Sequence, residues 1–328
     1  MRILVTGSTG FIGAALCRAL VDQGHHVLAF HRPTSVLRLL EDLPVEHVLG
    51  DLTQPETLEA ALPGVDVVFH AGALLGGREE PGRMYAVTVE GTRSLLAAAH
   101  QAGVRRVVHT SSAAALGVPE ELPVPIPIHE SHTWNFRPDH YPYGYAKYLA
   151  EMEVQRAVAA GLDVVIVNPT QVFGAGDIYR QTSSLVVQVA SQRLPAVADG
   201  GVNAVHLDDV VAGHLAALKL GARGERYILG GENLTLARLI QLIAEVTGVP
   251  APGVVVPVRL VRSLAAPLSR VQSFINLPVP AQTLRLAGRY FYYDTRKARV
   301  ELGLGPARPV REAIAEAYGW FRQVGAIP

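Results

Sequence analysis

The strand-like run Ile3-Leu4-Val5 passes directly into Thr6-Gly7-Ser8-Thr9-Gly10-Phe11-Ile12-Gly13, and an apolar helical pattern from Phe11 to Gln23 follows. Glycines at 7, 10 and 13 permit a tight turn and let backbone approach a pyrophosphate, whose charge then meets the unpaired N–H groups of a helix N-terminus. Glycine turns join many strands to helices. Here a second strand, His26-Val27-Leu28-Ala29-Phe30, arrives at the spacing of a βαβ unit, and that context reads as dinucleotide binding.

The alternation continues with strands at Val45 to Leu49 and Val65 to Phe69, a helix around Met84 to Gln101, and a strand at Arg106 to Thr110. A helix from Tyr145 to Ala160 and a strand at Val164 to Val167 complete it. Continuous apolar strands separated by helices predict an α/β fold, a Rossmann-type doubly wound parallel sheet covered on both faces. The Pro-rich passage Val118 to Pro142 is expected as a long loop above that sheet. Beyond Phe173 the pattern is mixed, with helices near Ser183 to Gln192 and over Thr235 to Thr247, and a tail that includes Arg289 to Tyr293. The expected division is residues 1–173, with 204–222 returning, as the dinucleotide domain, and 174–203 with 223–328 as a smaller mixed substrate lobe.

Lysine plus arginine equals aspartate plus glutamate at 29 each, so no net field favours nucleic acid or an acidic membrane surface. The most apolar later stretches, Ala157 to Val167 and Val254 to Val261, are too short or too interrupted for a membrane span. The single cysteine, Cys17, excludes an internal disulfide and a thiol metal cluster, and no metal site is expected. The first residues lack the apolar run and cleavage site of a secretory signal, so the expected location is cytoplasmic.

Where the second strand ends, an NAD site usually offers a carboxylate to the ribose hydroxyls. This sequence has Phe30-His31-Arg32-Pro33-Thr34-Ser35 instead. Arg32, helped by His31 and Ser35, favours a 2′-phosphate, hence NADP(H), with NAD(H) the alternative. A solvated loop arginine is the plainer reading. Gly50-Asp51-Leu52 and His70-Ala71-Gly72-Ala73 each follow a strand at the same sheet edge, and Asp51 is placed to meet the adenine amine. The expected cofactor wall is therefore Gly7, Thr9, Gly10, Phe11, Ile12, Gly13, His31, Arg32, Ser35, Asp51, Leu52, Ala71, Gly72, Ala73 and Thr110.

In Tyr143-Gly144-Tyr145-Ala146-Lys147, Tyr143 and Lys147 stand four residues apart on one face at the start of a helix. A nearby ammonium stabilises a phenolate and brings the phenol toward a working acid and base. The strand ending at Thr110 delivers Ser111-Ser112-Ala113 to the carboxyl edge of the sheet, where a hydroxyl can hold a carbonyl. Alone, each would read as an exposed helical pair or a capped turn. Behind a dinucleotide loop they read as catalysis.

These motifs, with Asn168-Pro169-Thr170-Gln171-Val172-Phe173-Gly174 and His206-Leu207-Asp208-Asp209-Val210, resemble the extended short-chain dehydrogenases/reductases over most of the chain. Arg32-Pro33, Tyr227 to Asn233 and Tyr293-Asp294 are most similar to the bacterial dihydroflavonol-4-reductase-like branch, with its hopanoid-associated sugar epimerase-like members. The resemblance implies Ser112 as the substrate-orienting hydroxyl and Tyr143 as proton donor and acceptor. It gives Lys147 a second role at the nicotinamide ribose and implies that Pro169, Thr170 and Val172 line the nicotinamide. Tyr141 and Tyr145 are out of register with the Tyr-x-x-x-Lys spacing, and His206 and Asp209 are expected to hold the core rather than a metal.

Family members that dehydrate nucleotide sugars carry Thr-Asp-Glu where this chain has Ser112-Ala113-Ala114, so dehydration is disfavoured. Deprotonating epimerases want a cysteine in the cleft, and Cys17 is misplaced for that. The favoured reading is reduction of a small-molecule carbonyl. The alternatives are 4-epimerisation of a nucleotide sugar, which would need Arg180, Arg193, Arg285 or Arg289 at a diphosphate, and a non-catalytic dinucleotide-binding regulator. The resemblance also implies a homodimer through the helix carrying Tyr143, although apolar helix faces pack equally well inside a monomer.

Overall fold

The computed structural model describes residues 1–74, 81–178, 184–194, 196–263 and 284–327. β1 (Arg2–Thr6), α1 (Phe11–Asp22) and β2 (His26–His31) form the first crossover unit. β3 (Glu46–Leu49), α2 (Pro55–Ala61) and β4 (Val67–His70) follow. α3 (Pro81–Tyr85) runs through a π-helical turn at Ala86–Glu90 into α4 (Gly91–Gln101). β5 (Arg106–Thr110), α5 (Pro142–Ala159) and β6 (Val164–Pro169) complete the alternating half. β7 (Gln171–Phe173), α6 (Ser184–Ala190), β8 (Val197–Ala198) and β9 (Gly201–His206) then leave the sheet, and α7 (Leu207–Leu220) returns to it. Among the described residues the remaining elements are β10 (Arg226–Leu229), β11 (Glu232–Thr235), α8 (Leu236–Thr247), β12 (Val255–Val256), β13 (Tyr290–Phe291), α9 (Arg296–Glu301) and α10 (Val310–Gln323).

Seven parallel strands make the large sheet in the order β10-β6-β5-β4-β1-β2-β3. Winding reverses between β1 and β4, which opens a crevice at their carboxyl ends. Successive residues of one strand feed opposite layers: Ile3 and Val5 pack with Leu16, Cys17 and Leu20 of α1 and Val210 of α7, whereas Leu4 packs with Leu58, Leu95 and Val154. All three β1 residues are fully buried, which explains why the strand is apolar on both faces.

β9 is flanked by β11 and β13 and also pairs with β7, making a second sheet of four strands; β12 and β8 pair separately. α6, α8 and α10 close a third core around Phe173, Leu239, Ile243, Ile314 and Phe321. Two features differ from the sequence reading. Residues 226–229, placed there in the substrate lobe, form the edge strand of the large sheet beside β6, with Tyr227 and Leu229 buried in the α1 and α7 layer and α9 packed over them through Ala298. Conversely, only α7 of the returning segment lies on the large sheet, because 201–206 belongs to the small one. A four-residue strand signals its extended backbone but not its sheet, since pairing depends on segments far away in the chain. No helix among the described residues is long and apolar enough to cross a membrane.

Candidate active site

The glycine loop is built to close backbone contacts. Gly7 takes φ +64°, and a Cβ there would sit 2.7 Å from the Ala71 carbonyl and the Gly72 nitrogen. A Cβ on Gly13 would lie 2.1 Å from the Gly7 carbonyl oxygen, so α1 can start this near β1 only without a side chain. The loop is pinned by Gly10 N donating to Gly7 O at 2.9 Å and by Ser8 Oγ donating to Phe30 O at 3.0 Å. No side chain caps α1, so its first amides are left for a ligand. That cradle fits a dinucleotide pyrophosphate.

Above the loop lies a cavity of about 500 Å³ at the switch point of the sheet. Every position expected in the cofactor wall borders it: Gly7 and Thr9 to Gly13 at the loop, His31, Arg32, Ser35, Asp51 and Leu52 at one end, and Ala71 to Ala73 along the wall. Thr110, Ser112, Tyr143, Lys147, Pro169, Thr170 and Val172 border the other end. Phe30, Gly50 and Ser111, which stand in the motifs read from the sequence, also contribute, as do Leu74 and Val87, which stand in none of them. Val87 reaches the wall from the π-helical turn, whose departure from 3.6-residue periodicity hid it.

At the adenosine end, Arg32 is exposed and bonds to no other described residue through its guanidinium. Asp51 is less free than expected, because its Oδ1 accepts from Thr53 N at 2.9 Å and Thr53 Oγ1 at 2.8 Å. His31 is buried, with Nδ1 3.0 Å from the Arg32 carbonyl and Nε2 3.0 Å from Nδ1 of His47 on β3. Both its nitrogens are thus engaged, and it borders the cavity as a wall rather than with a free donor.

The wall residues Gly72 and Leu74 hang on a hydrogen-bonded chain that sequence reasoning missed. Gly72 N donates to Thr6 Oγ1 at 3.2 Å, and Thr6 Oγ1 meets His70 Nδ1 at 2.7 Å. His70 Nε2 meets Thr92 Oγ1 at 2.9 Å, Thr92 donates to Thr88 O at 2.6 Å, and Leu74 N donates to Thr88 Oγ1 at 3.3 Å. Since Thr92 spends its proton on a carbonyl, His70 must donate to it and accept from Thr6, a neutral tautomer. Burial, with the Lys147 charge second, pushes His70 down to about 3 and keeps it neutral.

At the other end, the Tyr143 phenol and the Ser112 hydroxyl border the cavity together. Ser112 also caps a short 3₁₀ turn, its Oγ accepting from Ala114 N at 3.2 Å. Lys147 is buried, and its Nζ donates to Thr110 O at 2.9 Å. Burial lowers Lys147 to about 8, opposed by the Glu151 charge. Burial pushes Tyr143 up to about 12, against the pull of the Ser112 hydrogen bond. The phenol is therefore held protonated, where the spacing alone had suggested loosening by Lys147. Desolvation is the larger effect on the phenol, and the Lys147 ammonium is turned to the Thr110 carbonyl.

Beneath this pair lies a polar plug invisible to the sequence reading. Glu151, one helical turn after Lys147 and fully buried, accepts from Ser111 Oγ and from Asn168 Nδ2 at 2.7 Å; Asn168 Nδ2 also donates to Ser112 O at 2.9 Å. Arg226 Nε lies 2.6 Å from Glu151 Oε2, close enough for an ion pair though off the line of a good hydrogen bond. Thr110 Oγ1 donates to Nε2 of buried His214 at 2.9 Å, whose Nδ1 donates to Val210 O at 2.7 Å. The serine turn is thus anchored from α5, β6 and β10 together, and the strand before it from α7.

The remaining expected residues lie outside the cavity wall. Tyr141 and Tyr145 pack on Trp134, with ring centroids 6.1 and 5.4 Å away. His206 is buried at the start of α7, accepting from Asp208 N at 3.1 Å, and Asp209 accepts from Arg308 N at 2.7 Å. Cys17 is buried in the core, its thiol pushed up to about 12. Of the arginines considered for a diphosphate, Arg180 lies outside the described residues and Arg193 is exposed. Arg289 is committed: its guanidinium is 2.9 Å from Glu121 Oε1, donates to Pro119 O at 2.5 Å and stacks over Phe136 at 5.1 Å.

Residues 3–230 match the family described as the NAD dependent epimerase/dehydratase family. A putative dihydroflavonol 4-reductase from Synechocystis is 36% identical, covering 98% of this chain and 95% of its own. Sterol demethylase protein B of Methylococcus capsulatus is 37% identical over the full length of both chains. Among solved structures, a nucleoside-diphosphate-sugar epimerase from Pseudomonas aeruginosa superposes with a TM-score of 0.83 at 29% identity, covering 100% of this chain and 99% of that one.

Proposed function

The chain belongs to the NAD dependent epimerase/dehydratase family, as an NAD(P)-dependent enzyme of the extended short-chain type, and from that premise we propose that it reduces a carbonyl group with NADPH, Tyr143 giving the proton. When bound, the reduced nicotinamide supplies the hydride. Ser112 and Tyr143, which border the same end of the cavity, hold the substrate oxygen between two hydroxyls. As that oxygen becomes an alkoxide it takes the Tyr143 proton, and solvent restores the proton afterwards. An alkoxide is a far stronger base than a phenolate, so the transfer runs downhill even from a phenol pushed up to about 12. Lys147, cationic below about 8, would set positive charge near the reacting oxygen and would hold the nicotinamide ribose from the same helix face.

The observation that carries reduction over sugar epimerisation is Arg289. Its guanidinium is turned to the Pro119 carbonyl, to the face of Phe136 and to Glu121, a carboxylate it shares with Arg262, and it does not border the cavity where the dinucleotide loop lies. Arg32, free at the adenosine end where a carboxylate would favour NAD, supports NADPH as the cofactor. The names of the two relatives, putative dihydroflavonol 4-reductase and sterol demethylase protein B, support a largely apolar substrate. The test follows NADPH and NADH absorbance with a panel of aldehydes, ketones, dihydroflavonols and keto-sterols, with Tyr143→Phe as control. NADPH consumption reduced by about 10²-fold or more in the variant is expected. Unchanged turnover in Tyr143→Phe would overturn the proton assignment, and conversion of nucleotide sugars without net NADPH loss would replace reduction by epimerisation.

A further inference from the structure

His47 is exposed on β3 and bears on the cofactor only through His31, yet the contact between them dictates where protons can sit. The Arg32 carbonyl can only accept, so His31 Nδ1 carries a hydrogen and donates to it at 3.0 Å. In the neutral pair His31 Nε2 is then an acceptor, which obliges His47 Nδ1 to donate across the 3.0 Å gap. His47 Nε2 is left as the one bare nitrogen of the pair. A proton arriving there makes the pair a cation, and a shift of the bridging hydrogen from His47 Nδ1 to His31 Nε2 moves the charge onto His31. One proton enters, one bridging hydrogen shifts, and no other atom changes. The ring that gains the charge is the buried one in the cavity wall, beside Arg32.

We infer that the His31–His47 pair is a proton-linked part of the 2′-phosphate site, taking up one proton when the phosphate binds and none when a ribose hydroxyl occupies the same place. Imidazole is the side chain whose charge changes in the neutral range, and an anion beside His31 favours the charged form. Sharing the charge with exposed His47 offsets the cost of holding it on a buried ring. The segments around the pair carry few competing charges. Arg32 ends β2. Glu46 on β3 is engaged by Arg2 at 3.2 Å and His26 at 3.0 Å. In the turn between the strands stand Arg38, Glu41 and Asp42, the last paired with Arg18 at 2.9 Å, and Asp51 after β3 is tied to Thr53. Phosphate binding raises the pair's proton affinity, so the preference for NADP+ over NAD+ is fullest at low pH and is lost as pH rises, by up to about tenfold per unit.

This inference rests on the NADP(H) reading. It is tested by titration calorimetry of the full chain with NADP+ and with NAD+ near pH 7.5, in two phosphate-free buffers of different ionisation enthalpy, which counts protons taken up. At that pH the 2′-phosphate is already doubly ionised, so uptake belongs to the protein. Expected is uptake approaching one proton with NADP+ and near zero with NAD+. His47→Leu should abolish the uptake and weaken NADP+ about tenfold, with NAD+ affinity within twofold of the parent as the check on folding. NADP+ preferred without uptake, equal uptake with both, or undiminished uptake in His47→Leu would each overturn the inference and leave the cofactor reading standing. No preference for NADP+ at any pH would overturn both.

Discussion

Replacing Glu151 tests whether the plug under the Ser111-Ser112 turn is a charge balance or ordinary packing. Glu151→Leu strands Arg226, whose side chain is only 16% exposed, beside a site that has lost its carboxylate. Breaking a buried pair from one side costs about 3–5 kcal/mol. At about 2.1 cal/mol/K per residue, 328 residues give an unfolding entropy of about 0.7 kcal/mol/K, so the melting temperature should fall by about 4–7 °C. Adding Arg226→Met removes the stranded charge and leaves Ser111 Oγ and Asn168 Nδ2 short of an acceptor, a cost of about 1–3 kcal/mol in total. The double variant should therefore melt above the single one, although it departs further from the parent. Circular dichroism melts of parent, single and double proteins in one buffer read this directly. A single variant within 1 °C of the parent, or a double variant melting no higher than the single, would refute the buried-charge account.

Three further outcomes follow from the geometry. Lys147 is cationic only below about 8, so the NADPH-dependent rate should fall as pH rises through that value; Glu151→Gln, which removes the opposing charge but keeps an amide for Ser111, should move the fall to lower pH in a stopped-rate profile. Gly13→Ala places a Cβ 2.1 Å from the Gly7 carbonyl, a backbone overlap no rotamer relieves, and should weaken nicotinamide dinucleotide binding by more than about 100-fold by fluorescence titration. Phe321→Ala empties a fully buried site in the core of α6, α8 and α10 and should destabilise the chain by about 3–5 kcal/mol in urea unfolding.

What the chain alone determined is what short-range geometry governs. A helix repeats every 3.6 residues, so Tyr143 and Lys147 share a face whatever surrounds them, and a strand feeding glycines at 7, 10 and 13 into a helix makes its turn locally. Alternating apolar strands and helices imply the doubly wound sheet because a parallel strand needs a crossover, and the crossover hand leaves few alternatives. For that reason the residues that border the cavity, Ser112, Tyr143 and Lys147 among them, were legible before any coordinates. Tertiary structure decided the contacts that join distant segments: His31 with His47, Thr6 with His70, Glu151 with Arg226, Glu121 with Arg289. Each depends on which strands become neighbours, and β10 joined the large sheet beside β6 although its four residues look like any lobe strand. Protonation belongs to the same class. The spacing of Tyr143 and Lys147 pointed to a loosened phenol, but burial pushes its pKa up, and desolvation is a property of the folded surroundings rather than of the residues that titrate.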